Sequence, residues 1–218
     1  MRKNKLNNEA EIEEGELGMP PFMLMQPPAA QDDGPKMRKI GLIGDVNEEK
    51  TNDLIYGLYA LKEMGKITGE AKGKKKPKIT YDPIELIIST HGGSASEMFA
   101  IFDVMRDVRK ECEIQTFGLG KVMSAGVLLL AAGTKGQRRI GKNCRVMIHS
   151  VIAGNSGSIH NLQNEMAEVL ETQKRYIEAL RQETKMSVKK INEFFNRHVD
   201  IYLSAEEAVK LGIADIVV

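Results

Sequence analysis

The chain has 218 residues with 31 basic and 30 acidic side chains, which gives a formal net charge of +1. This balance excludes a global field that would recruit nucleic acid or an anionic membrane, and no apolar run approaches the roughly 20 residues of a membrane-spanning helix. The two cysteines, Cys112 and Cys144, lack metal-ligand spacing and indicate two buried thiols in a reducing compartment. The N-terminus lacks the apolar core of a secretory signal, so we expect a cytoplasmic protein.

Residues 1–36 are interpreted as a flexible N-terminal arm, separate from a domain at 37–218. The arm is acidic at first, and pairs of prolines then flank the apolar residues Phe22–Met25. Proline at that density resists both helix and sheet. The apolar centre of the arm is either a packing patch or a contact for another chain.

The folded part is predicted to begin with a strand at Arg38–Val46. A helix follows, with apolar residues at helical spacing from Leu54 to Met64 and Gly65 as its C-cap. The Lys-rich segment at 66–83 lacks the aromatic or arginine interleaving of a nucleic-acid patch. We therefore interpret it as a solvated loop.

The next part of the chain repeats the order strand, glycine turn, helix. Strands are predicted at Ile84–Thr90, Glu113–Gly120 and Cys144–Ser150, each leading into a turn and a helix. This order predicts an α/β fold with a mostly parallel sheet of stacked βα units. Sites in such sheets are built from the loops at the carboxyl ends of the strands.

Ser124 is the first candidate site residue, because it stands between a strand and the purely apolar start of a helix. It is either a helix N-cap or a nucleophile with backbone N–H groups beside it, and this stretch alone favours the cap. His149 ends a strand one βα unit later and has the position of a general base, although a histidine there is usually structural. Asp200 could orient that histidine, or be an ordinary loop carboxylate.

Four segments in order resemble the ClpP family of serine peptidases. They are GGS at Gly92–Ser94, SAGVLLLAAG at Ser124–Gly133, VMIH at Val146–His149 and DIYLSAEEAVKLGIAD at Asp200–Asp215. The resemblance covers about Arg38 to Val218 and implies a ClpP/crotonase-like fold.

The resemblance implies a Ser-His-Asp triad of Ser124 as nucleophile, His149 as base and Asp200 as its orienting carboxylate. It also implies an oxyanion hole made by the backbone N–H groups of Gly93 and Ala125. Further substrate-binding positions are expected at Gly92, Ser94 and Gly154. No organic cofactor or metal is needed for this chemistry.

The sequence departs from the family at three places. His91 stands where the family usually has a proline before its glycine pair, so the substrate-binding strand could be shaped differently. The Lys-rich segment is longer than usual, and the arm at 1–36 does not match the family's short N-terminal loops. In the family, those loops help to dock the ATPase partner.

A long helix is predicted from Ser158 to about Lys185. Its apolar residues recur every three or four positions, and its length would be about 40 Å. Either it packs along the whole sheet, or it projects and its apolar stripe needs another chain. The resemblance implies the second, as a handle helix between two stacked heptameric rings of identical subunits. It also implies an AAA+ unfoldase partner and unfolded polypeptides as substrates.

Three functions therefore compete. The leading one is an ATP-dependent-type serine endopeptidase subunit that cleaves unfolded polypeptides inside a self-compartmentalised chamber. The second is a non-catalytic ring subunit, against which the presence of all three triad side chains argues. The third is a crotonase-like acyl-CoA enzyme, which would not need Ser, His and Asp in this order.

Overall fold

A computed structural model describes residues 37–70 and 76–218, so the predicted arm at 1–36 lies outside the described residues. The described residues form nine strands: β1 (Lys39–Ile43), β2 (Lys66–Thr68), β3 (Ile79–Tyr81), β4 (Ile84–Thr90), β5 (Ile114–Met123), β6 (Arg139–Ile140), β7 (Arg145–Ile148), β8 (Ile201–Leu203) and β9 (Ile216–Val217). They also form six helices: α1 (Glu48–Met64), α2 (Ala95–Val108), α3 (Ala125–Ala131), α4 (Ile159–Glu183), α5 (Val188–Phe195) and α6 (Ala205–Lys210).

The main sheet has seven strands and is mostly parallel. Its order is β1-β4-β5-β6-β9, and every neighbouring pair in that order is parallel. With 10 residues, β5 is long enough to pair with β6 near its middle and with β7 at its carboxyl end. β8 joins β7 in the antiparallel direction. The α/β fold with a mostly parallel sheet, predicted from the order of strands, turns and helices, is confirmed.

The core forms where α1 and α3 pack on the sheet and α2 packs against both helices. On β4, Ile84, Leu86 and Ile88 are fully buried and the residues between them are half-buried, which is typical of a strand covered on both faces. All seven residues of α3 are buried. A helix buried on every side has no use for polar residues, which explains its purely apolar sequence.

Helix α4 divides into an exposed first half and a buried second half. It has 25 residues, begins after the N-cap Ser158 and is about 38 Å long. Near its start, Ile159 is 73% exposed and Met166 is 59% exposed, whereas Tyr176 and Leu180 are buried against the core. Only the second half therefore packs in the core of the chain. None of the helices among the described residues is both long and apolar enough to cross a membrane.

The structure corrects the predicted elements in three places. The Lys-rich segment is not a loop throughout, because its two ends pair as the antiparallel strands β2 and β3. α1 begins at Glu48, capped by the side chain of Asn47, earlier than the apolar spacing indicates because its first turn is polar. α5 has no counterpart among the predicted elements, although Ile191 and Phe194 bury its apolar face. The predicted C-cap at Gly65 is confirmed.

Candidate active site

A cavity of about 380 Å³ lies at the carboxyl ends of β4, β5 and β7. This is the edge of the sheet where the order of the elements predicts a site. Its walls bring together residues from four separate parts of the chain: His91, Gly93, Ser94, Ala95, Met98, Ser124, Ala125, His149, Ser150, Val151, Ile152, Thr172 and Tyr176.

Ser124 occupies the turn between β5 and α3 in an unusual backbone conformation, with φ 52° and ψ −119°. A residue other than glycine at positive φ is strained by about 1–3 kcal/mol and persists only where its surroundings enforce it. Its N–H donates to the carbonyl oxygen of Met147 at 2.8 Å, which ties the turn to β7. Its side chain makes no capping hydrogen bond with α3. This contradicts the helix-cap alternative, in which the hydroxyl would satisfy a backbone N–H of α3, and Ser124 lines the cavity.

The two glycines of the β4–α2 turn allow the backbone to approach Ser124 closely. Gly92 has φ +104°, and a Cβ there would lie 2.6 Å from the Cβ of Ser124. Gly93 has φ +151°, and a Cβ there would collide with the backbone of Val46. Val46 in turn pairs with this turn, because its N–H donates to the carbonyl of Gly92 and its own carbonyl accepts from Ser94. Only glycine fits either position without displacing its neighbours.

Two backbone N–H groups at the cavity are available as hydrogen-bond donors. Ala125 is the first residue of α3, so its N–H has no partner within the helix. Among the described residues, no acceptor is found for the N–H of Ala125 or of Gly93. Both residues line the cavity together with Ser124. Unpaired N–H groups beside a hydroxyl can stabilise a negative oxygen.

His149 and Asp200 lie on neighbouring antiparallel strands. His149 is half-buried, follows β7 directly and lines the cavity. Asp200 is exposed and precedes β8 directly. Ile148 pairs with Ile201, so continuing the antiparallel register by one residue sets His149 opposite Asp200. Within the described part of the chain, however, the side chains of Ser124, His149 and Asp200 form no hydrogen bonds with one another.

The residues predicted to bind substrate, Gly92, Ser94 and Gly154, differ in their positions relative to the cavity. Ser94 lines the cavity, and its hydroxyl also caps α2 by accepting from the N–H of Glu97 at 3.4 Å. Gly92 is buried next to Ser124. Gly154 is exposed and is not among the residues that line the cavity.

Several cavity residues were not identified from the sequence as site residues. Tyr176 and Thr172 come from α4, Met98 comes from α2, and Ile152 follows His149 by three residues. Tyr176 belongs to the apolar stripe predicted for the long helix, but its contact with Ser124, 52 residues away in the chain, leaves no local signal. His91, where the ClpP family usually has proline, also lines the cavity.

The cavity combines hydroxyl side chains, two imidazoles and free backbone donors. Across the residues that the structure describes, no cluster of three or more His, Cys, Asp or Glu side chains is arranged to hold a metal ion. Burial raises the pKa of the Tyr176 phenol above its ordinary value, so this hydroxyl is a neutral donor at physiological pH. The arrangement can carry out nucleophilic attack with general-base assistance.

Comparison with known proteins identifies the family of the chain. Residues 34–218 match the model of the family described as Clp protease. The chain is also 36% identical over 135 residues to proteins named ATP-dependent Clp protease proteolytic subunit 2 from Chlamydia trachomatis serovar D, Chlamydia trachomatis serovar A and Chlamydia pneumoniae. Each of these matches covers 62% of this chain and 64% of the relative, slightly less than two thirds of its length. Because the family match extends over most of the residues, the chain belongs to the Clp protease family.

Proposed function

We propose that the chain is a serine-type endopeptidase subunit in which Ser124 is the nucleophile. The observation that carries this proposal is the conformation of Ser124, a strained residue at a strand-to-helix turn whose hydroxyl does not cap the helix. A strained turn of this kind presents a hydroxyl at the edge of a parallel sheet. The same cavity contains His149 and two free backbone N–H groups.

In the proposed acylation step, Oγ of Ser124 attacks the carbonyl carbon of the scissile peptide bond. The proton of the hydroxyl passes to His149, and the carbonyl oxygen becomes an oxyanion. The N–H groups of Gly93 and Ala125 donate to that oxyanion, where fixed donors stabilise developing charge most. The carbon–nitrogen bond then breaks, and the proton moves from His149 to the departing amine.

In the deacylation step, a water molecule takes the place of the amine. His149 accepts a proton from the water as its oxygen attacks the acyl carbon. The ester bond between that carbon and Oγ of Ser124 then breaks, His149 returns a proton to Oγ, and the product leaves with a new carboxyl group. The role proposed for Asp200 is to accept a hydrogen bond from the second ring nitrogen of His149 and to stabilise the imidazolium. The register of β7 and β8 supports this assignment.

We further propose that the subunit acts inside a chamber built from stacked heptameric rings. The first half of α4 exposes a run of apolar residues: Ile159, Leu162, Met166 and Leu170. Such a stripe on a helix that extends beyond its own core is typical of a surface that another chain covers. The relatives are named as subunits of an ATP-dependent protease, which supports an ATP-driven unfoldase as the partner and unfolded polypeptides as substrates.

The proposal is tested by peptide hydrolysis with two single variants, their double variant and a control variant. Ser124→Ala and His149→Ala should each reduce kcat by several orders of magnitude, and the double variant should lose little more, because the two groups act as one unit. Ser96→Ala, an exposed serine of α2 that does not line the cavity, is the matched control and should retain wild-type turnover. Additive losses would contradict a shared proton transfer.

The two alternative functions give different results in the same assays. A non-catalytic ring subunit would assemble but show no hydrolysis and no reaction with a fluorophosphonate. A crotonase-like enzyme would bind an acyl-CoA thioester through the Gly93 and Ala125 N–H groups, and Ser124→Ala would leave that binding intact. Hydrolysis that depends on both Ser124 and His149 excludes both alternatives.

A further inference from the structure

Two side chains on the second half of α4 form hydrogen bonds with the backbone of two segments that line the cavity. The hydroxyl of Tyr176 donates to the carbonyl oxygen of Ser124 at 3.1 Å. The side-chain oxygen of Gln173 accepts from the N–H of Val151 at 3.3 Å. Residues three apart lie on the same face of a helix, so one face of α4 makes both contacts. We refer to these two hydrogen bonds as the α4 clamp.

The contact from Tyr176 acts on the oxyanion hole through the geometry of the peptide bond. The carbonyl of Ser124 and the N–H of Ala125 belong to one peptide unit, which is planar. In a trans peptide, the carbonyl and the N–H point in opposite directions. A hydrogen bond that fixes the carbonyl of Ser124 therefore fixes the direction in which the N–H of Ala125 points. That N–H is one of the two free donors at the cavity.

The surroundings of Tyr176 suit it to hold this peptide in place. Its side chain is 4% exposed, and its ring stacks on Phe195 with centroids 5.9 Å apart and planes 12° apart. A ring fixed on one side by stacking has little freedom to move its hydroxyl. Because the backbone of Ser124 is strained, it needs contacts of this kind to stay in its conformation.

The contact from Gln173 acts on another segment that lines the cavity. Val151 follows His149 by two residues and lines the cavity with Ile152. This segment has no regular secondary structure, so a side chain that binds its backbone reduces its freedom. Because Val151 and Ile152 line the cavity that contains Ser124, this segment is a surface that a bound peptide could contact.

We propose that Tyr176 and Gln173 are positioning residues of the peptidase site, and that Tyr176 sets the orientation of the oxyanion-hole N–H of Ala125. This inference rests on the proposed function, and it adds a role for α4 inside the subunit that is separate from contacts with other chains. Tyr176 acts on the transition state, in which the oxyanion exists. Gln173 acts on the segment that contacts the ground-state substrate.

The test is a comparison of Tyr176→Phe with Tyr59→Phe in the full-length protein. Tyr176→Phe removes only the hydroxyl and keeps the ring that stacks on Phe195. The carbonyl of Ser124 still accepts from the N–H of Val127 at 2.9 Å, so no buried acceptor is left unpaired. Tyr59→Phe removes a hydroxyl hydrogen bond of the same 3.1 Å length, to Asp107 on α2, at a residue that does not line the cavity.

Turnover is measured with a short peptide, and active sites are counted by fluorophosphonate titration. For Tyr176→Phe we expect kcat per active site to fall about 3- to 10-fold, the range of one neutral hydrogen bond, with KM within about twofold of wild type. Affinity for a peptide boronate, whose tetrahedral adduct occupies the oxyanion hole, should fall by the same factor. Tyr59→Phe should match wild type in all three measurements.

Gln173→Ala gives an independent test of the other half of the α4 clamp. We expect KM to rise about threefold or more with kcat per active site near that of wild type. Gln173 is only half-buried, so we expect Gln173→Ala to fold. It therefore tests the proposal even if Tyr176→Phe does not fold.

The outcomes separate this inference from the function on which it rests. A wild-type protein with neither turnover nor fluorophosphonate labelling would overturn both. Wild-type turnover together with an unchanged kcat and boronate affinity in Tyr176→Phe would overturn the role of Tyr176 alone. An equal loss in Tyr59→Phe would also overturn it, because that result would indicate a general effect on stability.

Discussion

The substitution Gly92→Ala tests the close contact between the glycine turn and Ser124. Gly92 has φ +104°, and an added Cβ would lie 2.6 Å from the Cβ of Ser124, 3.0 Å from its Oγ and 3.1 Å from the carbonyl oxygen of Met123. Carbon atoms in ordinary contact are about 3.5–4.0 Å apart. Ser124 or the turn must therefore move by roughly 1 Å.

A displacement of that size is large for a reacting group. A misplacement of 1 Å can reduce the rate of a positioned reaction by about 10²-fold. The backbone strain of alanine at positive φ adds about 1–2 kcal/mol of lost stability. We therefore expect Gly92→Ala to fold with a lowered melting temperature and to react with a fluorophosphonate at least about 100-fold more slowly than wild type.

Gly136→Ala is the matched control for backbone strain. Gly136 has φ +84°, and a Cβ there would meet nothing within 4 Å. Its substitution should lower stability by a similar amount, because the strain is similar, and should leave the labelling rate unchanged. Stability is followed by thermal unfolding and labelling by the appearance of the adduct mass. A Gly92→Ala protein that folds and labels at the wild-type rate would refute the placement of a reactive Ser124 against this turn.

Three further predictions concern the triad, the assembly and acid stability. Asp200→Asn should lower kcat by roughly 10⁴-fold, and near-normal turnover in the peptide assay would move the orienting role to another carboxylate. Met166→Glu places a carboxylate in the apolar stripe of α4, so it should sediment as single rings or smaller species and lose hydrolysis. The control Asn164→Glu, roughly 160° around the helix from Met166, should assemble normally. Equal behaviour of the two variants would refute the stripe as an interface. Burial raises the pKa of Glu183, but its hydrogen bond and charge interaction with Arg109, and then those with Lys135, bring the pKa below the ordinary 4.5. The ionised Glu183 carboxylate with its two basic partners therefore stabilises the fold above about pH 4.5, and that stability is lost as the pH falls through the folded-state pKa of Glu183. Glu183→Gln should be about 1–3 kcal/mol less stable at pH 7 in urea unfolding, and its stability should decline less steeply in acid. An unchanged acid profile would contradict this role of Glu183.

The parts of the site that are local in sequence could be predicted from the sequence. The turn at Gly92–Ser94 and the turn at Ser124 each join a buried strand to a helix. The signals that predict them, glycines in the turn and apolar runs in the flanking strand or helix, lie within a few residues of each turn. Parallel strands end at the same edge of a sheet, so the proximity of these two turns follows from the order of elements. The resemblance to the ClpP family then supplied the roles that spacing alone left open.

The parts that depend on long-range pairing could not be predicted in the same way. The position of Asp200 opposite His149 follows from the antiparallel pairing of β7 and β8, which a pattern of parallel βα units does not indicate. The contact of Tyr176 with Ser124 joins α4 to the turn between β5 and α3, 52 residues away in the chain. β6 and β9 have two residues each, too few to produce a periodic signal.

The central claim is that Ser124 is the nucleophile, and the mass of its covalent adduct tests this most directly. Wild-type protein is treated with a fluorophosphonate, its intact mass is measured, and the modified peptide is sequenced by mass spectrometry. We predict one adduct per chain, located on Ser124, with the adduct lost in Ser124→Ala and strongly reduced in His149→Ala. An unmodified wild-type protein that is folded and assembled, or an adduct on another residue that persists in Ser124→Ala, would contradict the claim.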